Sequence, residues 1–289
     1  AIAMLSRVRA LRHVAPRGAR LLAQQADAVT PYRELASTTA AQREAWATQD
    51  ELMHARMKEH VPAALEHNGE ESFANHLVGV QSVLRSWNAS ETLCNAALFH
   101  SIYGTEGFQG YKLPLSHREE IAELIGPEAE RLAWIFCMVD RASVDETVLR
   151  PRDAAASDLD GWSFRSRLEL GAFAMPLKDE KEWLDFITLS LADWLEQVEG
   201  AARKANPAAL WGEGEAWAYR RDGYAAMAEL LGKRGVDVAP RMYAEVFGRE
   251  PAATRALVQP VTPPMSDAAR DAYDALASAQ WDMDGPIGS

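Results

Sequence analysis

Apolar residues recur at helical spacing in the first strongly patterned segment of the chain. Between positions 73 and 87 they are separated by four, three, four and three residues, which places them on one face of an amphipathic helix. They are Phe73, Leu77, Val80, Leu84 and Trp87. Similar periodicity returns further along the sequence, and no segment has the alternating β-branched pattern that is typical of a strand. The sequence therefore predicts an all-α fold.

The composition is that of an ordinary globular protein with a substantial core. Hydrophobic residues make up 48% of the 289 positions and charged residues 25%. The two cysteines, Cys94 and Cys137, lie within apolar helical patterns, so we expect reduced core residues rather than a disulfide framework.

The charge and the lengths of the apolar runs restrict the class of partner. A net charge of -12 disfavours nucleic-acid binding, which needs a basic face, but it leaves a small-molecule substrate open. No apolar run is as long as a transmembrane helix, so we expect no membrane span. The nine tryptophans favour a helical interface, either in a homo-oligomer or with a larger assembly.

The first 30 residues differ in composition from the rest. Five arginines fall between Met4 and Ala26, and the first acidic residue is Asp27. A basic, Ala- and Leu-rich leader is typical of a transit peptide, which predicts a mitochondrial or plastid protein. The alternative is a basic tail on a cytoplasmic protein.

The remaining chain divides into two helical parts. Residues 37–199 form the main helical domain, and residues 206–289 form a C-terminal helical extension. Within the first part, residues 142–178 lack helical periodicity and are predicted to be an irregular loop, which at this length is usually functional or mobile.

Three chemically distinctive residues lie on predicted core helices. His76 shares the apolar face of the helix over 73–87, and His100 ends an apolar helix that stops before Gly104. Asp193 lies in the middle of a largely apolar helix over 179–199, where a carboxylate needs a partner. Two imidazoles and one carboxylate from three helices can coordinate a divalent metal. For His76 alone, the alternative is a core histidine that is paired with a backbone carbonyl.

The order and helical context of these residues resemble the HD superfamily of metal-dependent phosphohydrolases. The similarity is closest to the hydrolase domain of the (p)ppGpp enzymes and covers about residues 67–199. It rests on the run Ala96-Ala97-Leu98-Phe99-His100, on the two segments that follow it, and on Leu189-Ser190-Leu191-Ala192-Asp193. Residues 73–105 also resemble an HD-like subfamily that carries His-Leu-x-Gly and Phe-His-Ser-x-Tyr-Gly-Thr. The resemblance implies an HD-like helical bundle in which His76, His100 and Asp193 are metal ligands.

The sequence departs from the HD pattern at the residue that gives the superfamily its name. Ser101 stands where those enzymes have the aspartate that follows the histidine and helps to place the attacking water. Gly104 and Thr105 replace the acidic pair of the (p)ppGpp hydrolases, which disfavours that reaction. Glu106 or Asp140 is then a candidate substitute carboxylate. We take Ser101 and Glu106 as candidate catalytic residues.

Candidate substrate-binding residues flank the same motif. Tyr103 and Thr105 follow His100 in the subfamily pattern, and His67 lies in a turn that leads into the helix bearing His76.

Three functions remain open from the sequence. The first is a hydrolase of a small phosphate ester or nucleotide that uses bound Mn, Fe, Zn or Mg. The second is a metal-free, degenerate HD domain that serves as a binding or assembly module. The third is a non-haem iron oxygenase, because two histidines and one carboxylate are also the ligand set of that class.

Overall fold

The computed structural model describes residues 39–61, 73–107, 111–149, 163–203 and 215–236, together with 239, 241, 242 and 244. The predicted leader, His67 and most of the predicted C-terminal extension lie outside these residues. The described part contains eight α-helices and a two-stranded sheet. They are α1 (Ala40–His60), α2 (Phe73–Ser86), α3 (Glu91–Phe99), α4 (Arg118–Ile125), α5 (Pro127–Met138), α6 (Arg141–Leu149), β1 (Ser163–Arg165), β2 (Ala174–Pro176), α7 (Glu180–Arg203) and α8 (Glu215–Lys233).

The core is built around α2, which packs against both α3 and α7. Almost every side chain of α2 is buried, and its apolar face carries the residues that the periodicity predicted. Helix α3 in turn contacts α5, and the buried residues of α3 include the small side chains of Ala96 and Ala97. The all-α prediction is confirmed for the described residues, apart from the small sheet.

Helix α1 is fixed to this core by a buried ion pair. The Arg85 guanidinium at the end of α2 donates to both Asp50 carboxylate oxygens, at 2.8 and 3.2 Å, and also binds Glu91 at the start of α3. Arg85 and Asp50 are both buried. One cation therefore connects three helices.

The described residues of the segment 142–178, which are 142–149 and 163–178, contain regular secondary structure, so the prediction of a wholly irregular loop is wrong. They include nearly all of α6 and an antiparallel hairpin in which Phe164 pairs with Met175. Both of these side chains are buried. The hairpin therefore belongs to the packed structure.

The described part of the C-terminal extension packs on the main helical domain. Helix α8 contacts α7 and α6, and the rings of Trp194 and Tyr224 lie 4.8 Å apart. None of the described helices combines the length and the apolar character that crossing a membrane requires.

Candidate metal centre

Three helices of the core each contribute one side chain to a buried polar cluster. His76 lies one turn into α2, His100 immediately follows α3, and Asp193 lies in the second half of α7. The residues expose 1%, 0% and 7% of their surface, respectively. Among the described residues, this is the one group of three His, Cys, Asp or Glu side chains whose ligand atoms converge.

The converging atoms lie almost equally far apart. The Nε2 atoms of His76 and His100 are separated by 3.2 Å, and each lies 3.3 Å from Oδ1 of Asp193. The three atoms therefore form a nearly equilateral triangle at the junction of α2, α3 and α7.

The other nitrogen of each ring is bound to an acceptor outside this triangle. His100 donates from Nδ1 to the Ala97 carbonyl at 2.6 Å, and the same carbonyl also accepts from the backbone N–H of His100 at the end of α3. His76 donates from Nδ1 to Oε2 of Glu196, also at 2.6 Å. An ionised carboxylate and a carbonyl can only accept, so both Nδ1 atoms carry hydrogen.

This hydrogen bonding determines what the triangle can hold. With both Nδ1 atoms protonated, neutral His76 and His100 each direct an Nε2 lone pair toward Asp193. Three acceptors then face one another in a site shielded from water, which is unfavourable unless a cation lies among them. That cation is either a metal ion or one proton on an imidazole.

The electrostatic environment separates the two histidines. Burial lowers the pKa of His76, but the carboxylates of Glu196 and Asp193 outweigh this effect and raise the pKa to about 10. Burial is also the main effect on His100, and there it prevails and lowers the pKa. Burial alone would raise the pKa of Asp193, but the two neighbouring imidazoles, His100 and His76, bring it well below its usual range. Any proton that the cluster retains therefore belongs to His76.

The spacing of the cluster fits a metal ion. Ligands bonded at about 2.1 Å lie about 3.0 Å apart at a right angle and about 3.4 Å apart at the tetrahedral angle. The separations of 3.2 and 3.3 Å fall within this interval. The donor set, two imidazoles and a carboxylate, suits zinc, iron or manganese.

Apolar and sulfur-containing side chains enclose His100. The ring of Phe136 packs edge-on against the imidazole with centroids 4.7 Å apart. The thiol of Cys137 donates to the His100 carbonyl at 3.0 Å, and burial raises the pKa of this thiol to about 12. Helix α5 therefore forms a rigid apolar wall behind the second histidine.

The two predicted catalytic residues lie close in sequence to His100, but neither belongs to the triangle. Ser101 is 3% exposed, and its carbonyl accepts from the backbone N–H of Gly104. Glu106 is exposed, and its carboxylate accepts from the backbone N–H of Arg141 at 3.0 Å, where it caps the start of α6. Asp140, another carboxylate nearby, binds Arg165 at 2.8 Å. The catalytic roles of Ser101 and Glu106 stay predictions.

Tyr103, a predicted substrate-binding residue, is engaged in the protein interior. Its hydroxyl donates to Glu130 at 3.0 Å, and Glu130 also accepts two hydrogen bonds from Arg118. Burial and the neighbouring Glu130 raise the pKa of the phenol.

Thr105, also a predicted substrate-binding residue, is buried beside the hairpin. The guanidinium of Arg167 donates to the Thr105 carbonyl at 3.3 Å and to the Gly104 carbonyl at 3.4 Å. Arg167 therefore braces the loop that follows His100. His67, the third predicted substrate-binding residue, lies outside the described residues.

The local sequence did not indicate a role for Glu196, which lies one turn beyond Asp193 on the same face of α7. The two carboxylates bind opposite nitrogens of the His76 ring. A signal for this arrangement was present in α2, because Gly79 lies in the middle of a helix, where glycine is costly unless packing requires it.

Part of this region matches a known protein family. Residues 56–141 match the family described as "Domain of unknown function (DUF6817)". This segment covers less than a third of the chain; it contains His76 and His100 and ends before Asp193. No curated protein and no solved structure matches the chain.

Proposed function

We propose that this protein binds one divalent metal ion through His76, His100 and Asp193 and uses it to hydrolyse a small phosphate ester or nucleotide. One observation carries the proposal: three acceptor atoms from three helices converge at 3.2 to 3.3 Å while both histidines donate their remaining hydrogen elsewhere. The HD-like order of the same residues along the sequence supports it independently.

The roles of the residues follow from their surroundings. His76 and His100 supply neutral nitrogen ligands whose orientation is fixed by the acceptors on Nδ1. Asp193 supplies the negative charge. Once bound, a divalent ion would polarise a phosphoryl oxygen and lower the pKa of a bound water.

Three protein ligands are typical of a catalytic site rather than a structural one. Structural zinc sites are usually closed by four protein ligands, whereas catalytic sites keep a position for water or substrate. Among the described residues no fourth His, Cys, Asp or Glu joins the cluster, and Ser101 replaces the aspartate of the HD pattern. The remaining positions are therefore assigned to water and substrate.

A metal-free binding or assembly module is the second candidate, and one observation favours it. The ring of His76 lies between two carboxylates, Asp193 at Nε2 and Glu196 at Nδ1, and this arrangement also suits an imidazolium. In that case a single proton turns Nε2 of His76 into a donor to the two remaining acceptors, on His100 and Asp193, and the cluster joins α2, α3 and α7 without chemistry.

The proposal is tested with the full-length chain loaded separately with Mn²⁺, Zn²⁺, Mg²⁺ or anaerobic Fe²⁺. Phosphate release is measured from p-nitrophenyl phosphate and from a panel of nucleotides. We expect hydrolysis with at least one ion and its loss in His76→Ala and Asp193→Ala. Asp185→Asn is the matched control, since Asp185 lies on the same helix but pairs with Lys181.

The other outcomes identify the competing functions. Oxygen uptake by the Fe²⁺ form, without phosphate release, would overturn the hydrolase and support an oxygenase. Failure of the wild type to bind any of these ions would overturn the metal site and leave the metal-free module.

A further inference from the structure

Glu196 lies so close to Gly79 that a residue with a side chain at position 79 would collide with it. A Cβ atom added at Gly79 would lie 2.7 Å from both Cγ and Oε1 of Glu196. Real Cβ atoms do not approach neighbouring atoms this closely, so either the glutamate side chain or the helix would have to move. Position 79 in α2 therefore needs to be glycine for Glu196 to occupy its present place.

In this position Glu196 accepts the hydrogen bond from the His76 ring. Gly79 lies one turn after His76 on the same helix, so the missing side chain opens a path directly beside the ring. Through it Glu196 reaches Nδ1 at 2.6 Å, and both residues are buried. A displaced carboxylate would leave the His76 ring without its partner on this side.

The hydrogen bond to Glu196 controls which nitrogen of His76 faces the cluster. A carboxylate that accepts from Nδ1 keeps the hydrogen on that nitrogen and so directs the Nε2 lone pair toward Asp193. It also makes the Nε2 nitrogen more basic and therefore a stronger ligand for a cation. It also prevents the ring from rotating within its cavity. His100 obtains the same control from the Ala97 carbonyl of its own helix.

We propose that Glu196 is the positioning residue of the centre and that Gly79 is the residue that admits it, so that the two act as one unit. The effect of this unit on metal affinity rests on the proposed metal site. If that site is present, metal affinity depends on a glycine that does not contact the metal. The contact between Gly79 and Glu196, in contrast, exists whether or not metal binds.

A double-mutant cycle tests the coupling. Gly79→Ala, Glu196→Ala and the double variant are compared with the wild type for the dissociation constants of Zn²⁺ and Mn²⁺. We expect each single variant to bind about 10- to 100-fold more weakly, as for other carboxylate partners of ligating histidines. The double variant should bind no more weakly than Glu196→Ala, since the new methyl group then fills the space that the glutamate left.

Two further variants separate positioning from general damage. Glu196→Gln retains an acceptor for Nδ1–H and should recover part of the affinity that Glu196→Ala loses. Gly232→Ala is the matched control for a helical glycine, because its added Cβ would lie an ordinary 3.7 Å from the Ala239 Cβ. It should bind metal like the wild type.

The NMR signal of the His76 ring provides a readout that needs no metal. In protein treated with chelator, the Nδ1–H of His76 should give a downfield proton resonance, because it donates a short hydrogen bond to a carboxylate. We expect the resonance to be lost in Gly79→Ala and Glu196→Ala and retained in Gly232→Ala.

These results distinguish the two claims. If the wild type binds neither ion but the resonance behaves as expected, the metal site fails and the positioning unit stands. If Gly79→Ala weakens binding equally with and without Glu196, or if the resonance persists in Gly79→Ala, the coupling of the two residues is overturned.

Discussion

The Nε2 atoms of His76 and His100 face each other at 3.2 Å in the buried core, and each ring donates its other N–H away from the contact. Two bare imidazole nitrogens would repel one another at this distance, and the carboxylate of Asp193 lies 3.3 Å from both. The relationship between the two histidines therefore requires a cation between them.

Asp193 supplies the negative charge of the cluster, so its removal should affect metal binding more than removal of Ser101. We expect Asp193→Ala to abolish stoichiometric occupancy, because two neutral imidazoles then remain, whereas Ser101→Ala retains most of it. Metal content per chain, measured after dialysis, provides the comparison. A larger loss in Ser101→Ala would mean that Asp193 is misassigned.

Tyr103 should prove to be a structural residue. Tyr103→Phe removes one buried hydrogen bond to Glu130, which Arg118 continues to hold, at a cost of about 1 kcal/mol. Urea unfolding measures this cost, and hydrolysis of the best substrate should be unchanged. A lower turnover with unchanged stability would instead support the predicted role in substrate binding.

The connection between α1 and the core should depend on Asp50. Asp50→Ala leaves the buried Arg85 with Glu91 as its remaining carboxylate partner among the contacts described, and we expect a loss of about 3–5 kcal/mol in the free energy of unfolding. Arg56→Ala is the matched control, because Arg56 forms an exposed pair with Glu59 on the same helix. Its effect should stay within about 0.5 kcal/mol. Similar losses in both variants would contradict the buried pair as the anchor.

His54 should make the protein less stable in mild acid. Its burial lowers the pKa below 6.5, against the hydrogen bond to Gln81 and the charge of Asp50, which raise it. The unfolded chain therefore binds a proton below about pH 6.5 that the folded protein resists, so stability falls as the pH drops. His54→Asn, which cannot titrate, should lose less free energy of unfolding between about pH 7.5 and about pH 5.5 than the wild type. An equal loss in both proteins would contradict this assignment.

The parts of the fold that could be predicted from sequence are those encoded by local periodicity. The apolar stripe from Phe73 to Trp87 fixes α2 and its buried face, and the long apolar pattern around Asp193 fixes α7. Because His76 and Asp193 both lie on buried helical faces, burial itself indicated that they need partners. The identity of those partners required the three-dimensional arrangement.

The parts that could not be predicted depend on contacts between distant residues. Helix α6 has little apolar periodicity of its own, and its first N–H is capped by Glu106, which lies 35 residues earlier in the chain. Glu196 is similar, because its partner His76 lies 120 residues away. In sequence, Glu106 lies in a loop and Glu196 resembles a residue on a solvated helix face, so only the mid-helix glycine at position 79 indicated the second contact.

The most direct test of a metal centre is the metal content of the purified chain and of His100→Ala, measured by elemental analysis after equilibration with Mn²⁺, Fe²⁺ and Zn²⁺ and removal of excess ion. We predict about one ion per chain in the wild type, since the cluster offers one set of three ligands, and a large loss in His100→Ala. Thermal unfolding of the same samples should show that metal stabilises the wild type and has little effect on the variant. Substoichiometric metal in the wild type, with no gain in its thermal stability when metal is added, would contradict a metal centre.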